Sequence, residues 1–121
     1  MGKIYTGYCA RLRDYPNNAL TIGVMRFPPK WFTGINLDIL APSEELLMAW
    51  KNEQVDKIIY KIKYLNELCE RGLQPDEVKE KLLKAANGRD IILCCYERPN
   101  DFCHRHILNE WLGGDGEFIL S

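Results

Sequence analysis

The residues best equipped for chemistry crowd into one short stretch, CYERPNDFCHR, residues 95–105. A continuous apolar run, IILCC, leads into it, and the amphipathic FCHRHILNEWL completes it, so Cys103, His104 and Arg105 are predicted in the opening turn of a helix fed by a strand. Such a turn leaves backbone N–H groups unpaired and carries the positive end of the helix dipole. A phosphate or carboxylate there can take those N–H bonds plus a bidentate contact from Arg105, while the same field is expected to lower the pKa of Cys103. A plainer account stands beside it. A strand-to-helix turn can hold a buried cysteine and a charged side chain simply to satisfy loop carbonyls, and His104 and His106 can be ordinary surface or core-edge histidines. Cys94 and Cys95 point to opposite faces of their strand and read as packing.

Spacing removes several sharper chemistries. A cysteine phosphatase loop needs arginine six residues after its cysteine, but Asn100, Asp101 and Asn109 follow Cys94, Cys95 and Cys103 at that distance. A structural zinc site usually shows paired ligands such as C-x-x-C; here Cys103 and His104 are adjacent, project differently from a helix and lack a second pair, so no metal site is expected. No G-x-G-x-x-G, G-x-x-x-x-G-K-[ST] or G-x-S-x-G occurs, which leaves P-loop and serine hydrolase chemistry without their usual support.

The elements that must position this stretch are legible from pattern. Lys3–Gly7 reads as a strand and Ala19–Met25 as a second. The run RFPPKWFTGINLDILAP, with three prolines, reads as an irregular loop ordered by its apolar residues. Ser43 caps a helix running to about Asn52. Val55 opens a longer one, with Ile58, Ile59, Ile62, Leu65 and Leu68 at helical spacing and Gly72 as its stop. Pro75 starts a third, ended by Asn87-Gly88. Asp90–Tyr96 reads as the central strand by its unbroken apolar run, Asn100 or Asp101 is available to cap the helix after it, and Glu117–Leu120 reads as a last short strand. Strands alternating with helices predict an α/β fold, a three-layer α/β/α, Rossmann-like arrangement on a mainly parallel sheet of about 4–5 strands.

Bulk properties set the remaining bounds. The length of 121 residues suits one domain, residues 1–121, and 46% hydrophobic with 27% charged residues suits an ordinary globular protein with no membrane partner. The N-terminus lacks a secretory layout, and five cysteines without a C-x-x-C pair fit reduced thiols, so a cytoplasmic location is expected. A net charge of −1 argues against bulk electrostatic binding to nucleic acid but leaves room for a local basic pocket. Tyr8, Arg11 and Arg13 in the first loop, with Arg26, Lys30 and Trp31 in the second, are expected at the same sheet edge as the Cys103 turn. There they would suit a phosphorylated or nucleobase-bearing ligand. A solvated arginine and a core tryptophan account for each residue equally well.

The segment LCCYERPNDFCHRHILNEWL resembles the C-terminal signature of the DUF488 family, a strand leading through an E-x-P-x-x-C-H-R type loop into a helix. TIGVMRFPPKW and LAPSEELLMAWK resemble two further family segments. Val24 stands where the family often has aspartate, and Cys9 stands near a serine position. The resemblance implies Tyr5, Gly7, Arg26, Glu97, Pro99, Cys103, His104 and Arg105 as candidate site residues, and implies no particular reaction. The resulting expectation is a small anionic ligand, phosphate-bearing and including nucleotides and nucleic-acid ends, held by Arg105, Arg26 and the helix N-terminus without a cofactor. If catalysis occurs, Cys103 is the thiol and His104 or Glu97 carries the proton. The alternative is a non-catalytic interaction or sequestering domain in which Cys-His-Arg is structural. Oligomeric state has no signature in the sequence.

Overall fold

The computed structural model describes residues 2–97 and 101–120. Four strands, β1 (Ile4–Tyr8), β2 (Leu20–Gly23), β3 (Ile35–Asn36) and β4 (Ile91–Cys95), form a parallel sheet in the order β1-β4-β2-β3. All five residues of β4 are buried, as an unbroken apolar run between two strands and two faces requires. The helices are α1 (Glu44–Lys51), α2 (Lys57–Glu70), α3 (Pro75–Ala86) and α4 (His104–Trp111).

The chain crosses the sheet in both directions, from β1 rightward to β2 and from β3 back to β4. Right-handed crossovers must then lie on opposite faces. Ile4, Ile22, Ile91 and Leu93 accordingly pack with Leu46, Tyr64, Leu82 and Leu108 of the four α-helices. Ile92 and Cys94, on the other face, pack with Cys9 and Tyr15 around a 3₁₀ segment (Cys9–Asp14), and with Phe118 of the C-terminal segment. The result is a three-layer, Rossmann-like α/β architecture. Among the described residues, no helix is long and apolar enough to cross a membrane.

Local signals act as their chemistry dictates. The Ser43 hydroxyl accepts from the Leu46 N–H at 3.1 Å and caps α1; Asp56 does the same for α2 through Ile59, at 2.8 Å. Asn87 takes the left-handed conformation (φ 51°) that closes α3.

Four boundaries differ from the sequence expectation. Regular pairing in β2 stops at Gly23, although the Val24 N–H still reaches the Cys94 carbonyl at 3.1 Å. The proline-rich loop contains β3 and a 3₁₀ turn (Asp38–Leu40), both too short to impose a period on the sequence. The last strand reduces to one parallel bridge, Thr6 with Glu117, because the chain turns at Gly116 (φ +86°) and directs Phe118 against Tyr5 and Tyr15. Finally, α4 begins later than expected. Its N-cap is Cys103, in an extended conformation (φ −152°, ψ 147°), rather than Asp101; Asn100 lies outside the described residues. Phe102 packs against Trp50 and Tyr60, with ring centroids 4.6 and 5.3 Å away, and this burial draws the chain out straight before the helix can start.

Candidate functional site

In an open parallel sheet a crevice forms where neighbouring strands send their connections in opposite directions. Here β4 leads back over β1 through α4, and its neighbour β2 leads outward to β3. The crevice between their carboxyl ends holds a cavity of about 350 Å³, walled by residues 25–27, Pro42, Leu47, Lys51, residues 95–97 and His104. Arg26 is fixed there by its own hydrogen bonds, Nε to the Pro42 carbonyl at 2.9 Å and Nη2 to the Asp38 carbonyl at 3.1 Å. It thereby ties the loop after β3 to the end of β2. Asn36 makes a second tie: its Oδ1 accepts from the Met25 N–H at 3.0 Å and its Nδ2 donates to the Met25 carbonyl at 2.9 Å.

A polar cluster forms the floor. The Cys95 and Cys103 thiols both donate to Glu97 Oε2, at 3.1 and 3.3 Å. His104 Nδ1 lies 3.6 Å from Cys103 Sγ, and its Nε2 donates to the Val24 carbonyl. A carbonyl can only accept, so Nε2 carries the proton and Nδ1 presents a lone pair to the sulfur. The ligand atoms of Cys95, Cys103 and His104 all lie within 4.8 Å of one another, so the three converge on one region.

The electrostatics follow from burial. The Cys103 thiol is pushed well above its ordinary value by burial, then by Cys95 and Glu97, with Arg105 opposing. His104 is held down at about 4, again chiefly by burial, and is therefore neutral. Burial also pushes the Glu97 carboxyl upward, but hydrogen bonds from Cys95, its own backbone N–H and Cys103 outweigh this and leave it below the usual range. The resting cluster is thus two thiols on a carboxylate beside a neutral imidazole. The lowered Cys103 pKa expected from the helix dipole is overturned, because desolvation at a 4% exposed N-cap exceeds the field of a short helix.

The remaining candidates are dispersed. Arg105 is wholly buried, close enough to influence Cys9, Cys94 and Tyr15, and does not line the cavity. Tyr5 packs edge-on against Phe118, and the Tyr8 N–H donates to the Tyr15 hydroxyl at 2.7 Å. A Cβ on Gly7 would stand 2.4 Å from Ile92 Cγ2, so this glycine admits close packing of β1 on β4. Arg11 is exposed and paired with Asp14, and Lys30 is exposed away from the cavity. Arg13 and Trp31 border a separate depression beside Cys9. The first two loops thus meet at Arg13 and Trp31 and not at the cavity beside Cys103, since the 3₁₀ segment after β1 packs on the sheet face away from α1. Pro99 lies outside the described residues. Conversely, Lys51 and Phe27 line the cavity without having been anticipated there, and Cys95 and Tyr96, inside the expected 95–105 stretch but given no role in it, line it as well.

No curated protein and no solved structure matches the chain. The family model DUF488-N3a, described as the active DUF488-N3 subclade, matches residues 5–116, and with that coverage the chain belongs to the DUF488 family.

Proposed function

We propose that the cavity between the ends of β2 and β4 receives a small anionic, phosphate-bearing ligand, and that the thiol–carboxylate floor can act on it. The carrying observation is that one cavity joins two cations, Arg26 and Lys51, to Cys95, Glu97 and His104. The Arg26 guanidinium, though engaged with carbonyls, keeps its charge, and exposed Lys51 is free to approach a phosphate as a point charge. Phe27 and Tyr96 are 52% and 43% exposed at the same cavity and can stack on a nucleobase, which favours nucleotides and nucleic-acid ends within this class. Arg105 adds positive field from behind the floor. For catalysis, the Cys103 sulfur would attack the phosphorus as its proton passes to Glu97 or to neutral His104 Nδ1; the S–P bond forms as the ester P–O bond breaks, and the departing oxygen takes up that proton. The subclade's description as active supports this step.

Titration with inorganic phosphate and nucleoside monophosphates, followed by calorimetry, tests the reading. Lys51→Ala is expected to weaken binding about tenfold, the worth of one charge-assisted contact. Equal binding by both proteins, or binding by neither, would remove it.

A second reading has its own support. Cys103, His104 and Arg105 are only 4%, 5% and 0% exposed, as expected if the motif chiefly fastens α4 to the sheet of a non-catalytic interaction or sequestering domain.

A further inference from the structure

We infer that Cys95, Cys103 and His104 form a three-residue site for one soft divalent cation of the zinc class, with the fourth tetrahedral position open toward the cavity. This does not rest on an anionic ligand being bound in the cavity.

The first support is distance. Zinc holds sulfur at about 2.3 Å and nitrogen or oxygen at about 2.0–2.2 Å, so a tetrahedral centre sets sulfur about 3.6 Å from nitrogen or oxygen. Cys103 Sγ lies 3.6 Å from His104 Nδ1, and Glu97 Oε2 lies 3.3 and 3.1 Å from the two sulfurs. Cys95 Sγ completes a set of three donor atoms, all within 4.8 Å of one another, beside which Glu97 holds both thiol hydrogens.

The second support is orientation. A histidine that binds metal through one nitrogen typically donates its other N–H to a carbonyl or carboxylate, which fixes the tautomer. His104 Nε2 donates to the Val24 carbonyl, leaving the Nδ1 lone pair facing the sulfurs. The tether spans the sheet edge, so the ring cannot turn away without losing it.

The third is backbone conformation. Adjacent residues inside a helix diverge, and on that ground the sequence argues against a Cys103–His104 pair. Cys103 is instead an extended N-cap and His104 the first helical residue, and the change of backbone conformation between them turns both side chains toward one point. The missing sulfur comes from Cys95 at the end of β4.

Charge and access also agree. Binding would release the two thiol protons to solvent and leave a neutral centre of two thiolates and a dication beside the Glu97 carboxylate, one net negative charge for the cluster. The buried Arg105 guanidinium, whose charge already acts on Cys103, lies behind the cluster to offset it. Cys95, Glu97 and His104 line the cavity, which provides an entry path.

Anaerobic titration of the reduced full chain with Co²⁺ tests the inference. One equivalent should produce a near-ultraviolet thiolate-to-cobalt band with tetrahedral bands in the visible, and Zn²⁺ should displace it. Cys95→Ser and Cys103→Ser are each expected to weaken binding about a hundredfold or more, and Cys69→Ser, at an exposed thiol, to leave it unchanged. Absence of the thiolate band in the reduced wild type overturns the site, as does its loss in the Cys69→Ser protein. Formation of a Cys95–Cys103 disulfide in air by a protein that takes no cobalt when reduced also overturns it. The wild-type spectrum decides the matter even if a serine variant fails to fold.

Discussion

The imidazole of His104 donates through Nε2 to the backbone carbonyl of Val24, a residue 80 positions earlier in the chain. This bond joins the start of α4 to the end of β2 across the crevice that the sheet's topology opens. It places a neutral histidine where its second nitrogen meets the cysteine cluster, while the ring packs edge-on against Tyr64 at 5.6 Å.

Acid should expose that arrangement. Burial holds His104 at about 4 against an ordinary value of 6.5, so between these values the unfolded chain binds the proton and the folded chain does not. The stability associated with the neutral ring is therefore complete above pH 6.5 and lost as pH falls toward 4, about 3 kcal/mol in total. Urea unfolding of the metal-free protein at a series of pH values measures this. The same series on His104→Gln should lack that slope and be less stable at neutral pH.

Thiol labelling should be sharply uneven. Cys69 is exposed, while burial pushes Cys9 up to about 11, Cys94 up to about 12, and Cys103 well above its ordinary value. For Cys9 alone the rise from 9.0 lowers the thiolate fraction about a hundredfold at neutral pH. Ellman titration of the reduced native protein is expected to show one fast thiol, abolished in Cys69→Ser, with the others appearing on unfolding. A second fast thiol mapped to Cys103 would contradict the burial argument and favour a primed nucleophile.

Gly7→Ala tests whether this residue serves packing. The added methyl would meet Ile92 Cγ2 at 2.4 Å and the Tyr15 hydroxyl at 3.0 Å, inside a paired strand that cannot readily shift. A loss of about 1–3 kcal/mol is expected by chemical denaturation.

Asn36→Ala removes both amide bonds to Met25 and leaves a backbone N–H and carbonyl beside the cavity without those partners. Stability should fall by about 1–3 kcal/mol, and amide exchange at Met25 should accelerate, since the side chain carries the hold of β3 on β2 past Gly23, where the backbone pairing ends.

Arg105→Ala should cost more than any of these, about 3–5 kcal/mol, because a wholly buried guanidinium leaves behind groups arranged around its charge. Denaturation with circular dichroism measures it, and a variant as stable as the wild type would mean that Arg105 is not part of the fold's support.

What the sequence determined by itself was everything that depends on local repetition. The apolar period of α2, the Ser43 cap, the Pro75 start and the unbroken IILCC run of β4 each act over a few residues, so they were legible without a partner. The place of the Cys-His-Arg turn between a strand and a helix was legible for the same reason, since that succession is a local pattern. Tertiary structure decided which of those residues meet. Cys95 reads as packing until the crevice brings Glu97 and Cys103 to it, and Lys51 is an ordinary helix-end lysine until α1 is laid along the cavity. Burial, too, is a property of the assembled fold: it reversed the expected acidity of Cys103, and it placed Arg105 behind the site rather than at its mouth. Desolvation depends on what covers a group from every side, and for this turn the cover comes from strands and helices far away in the chain.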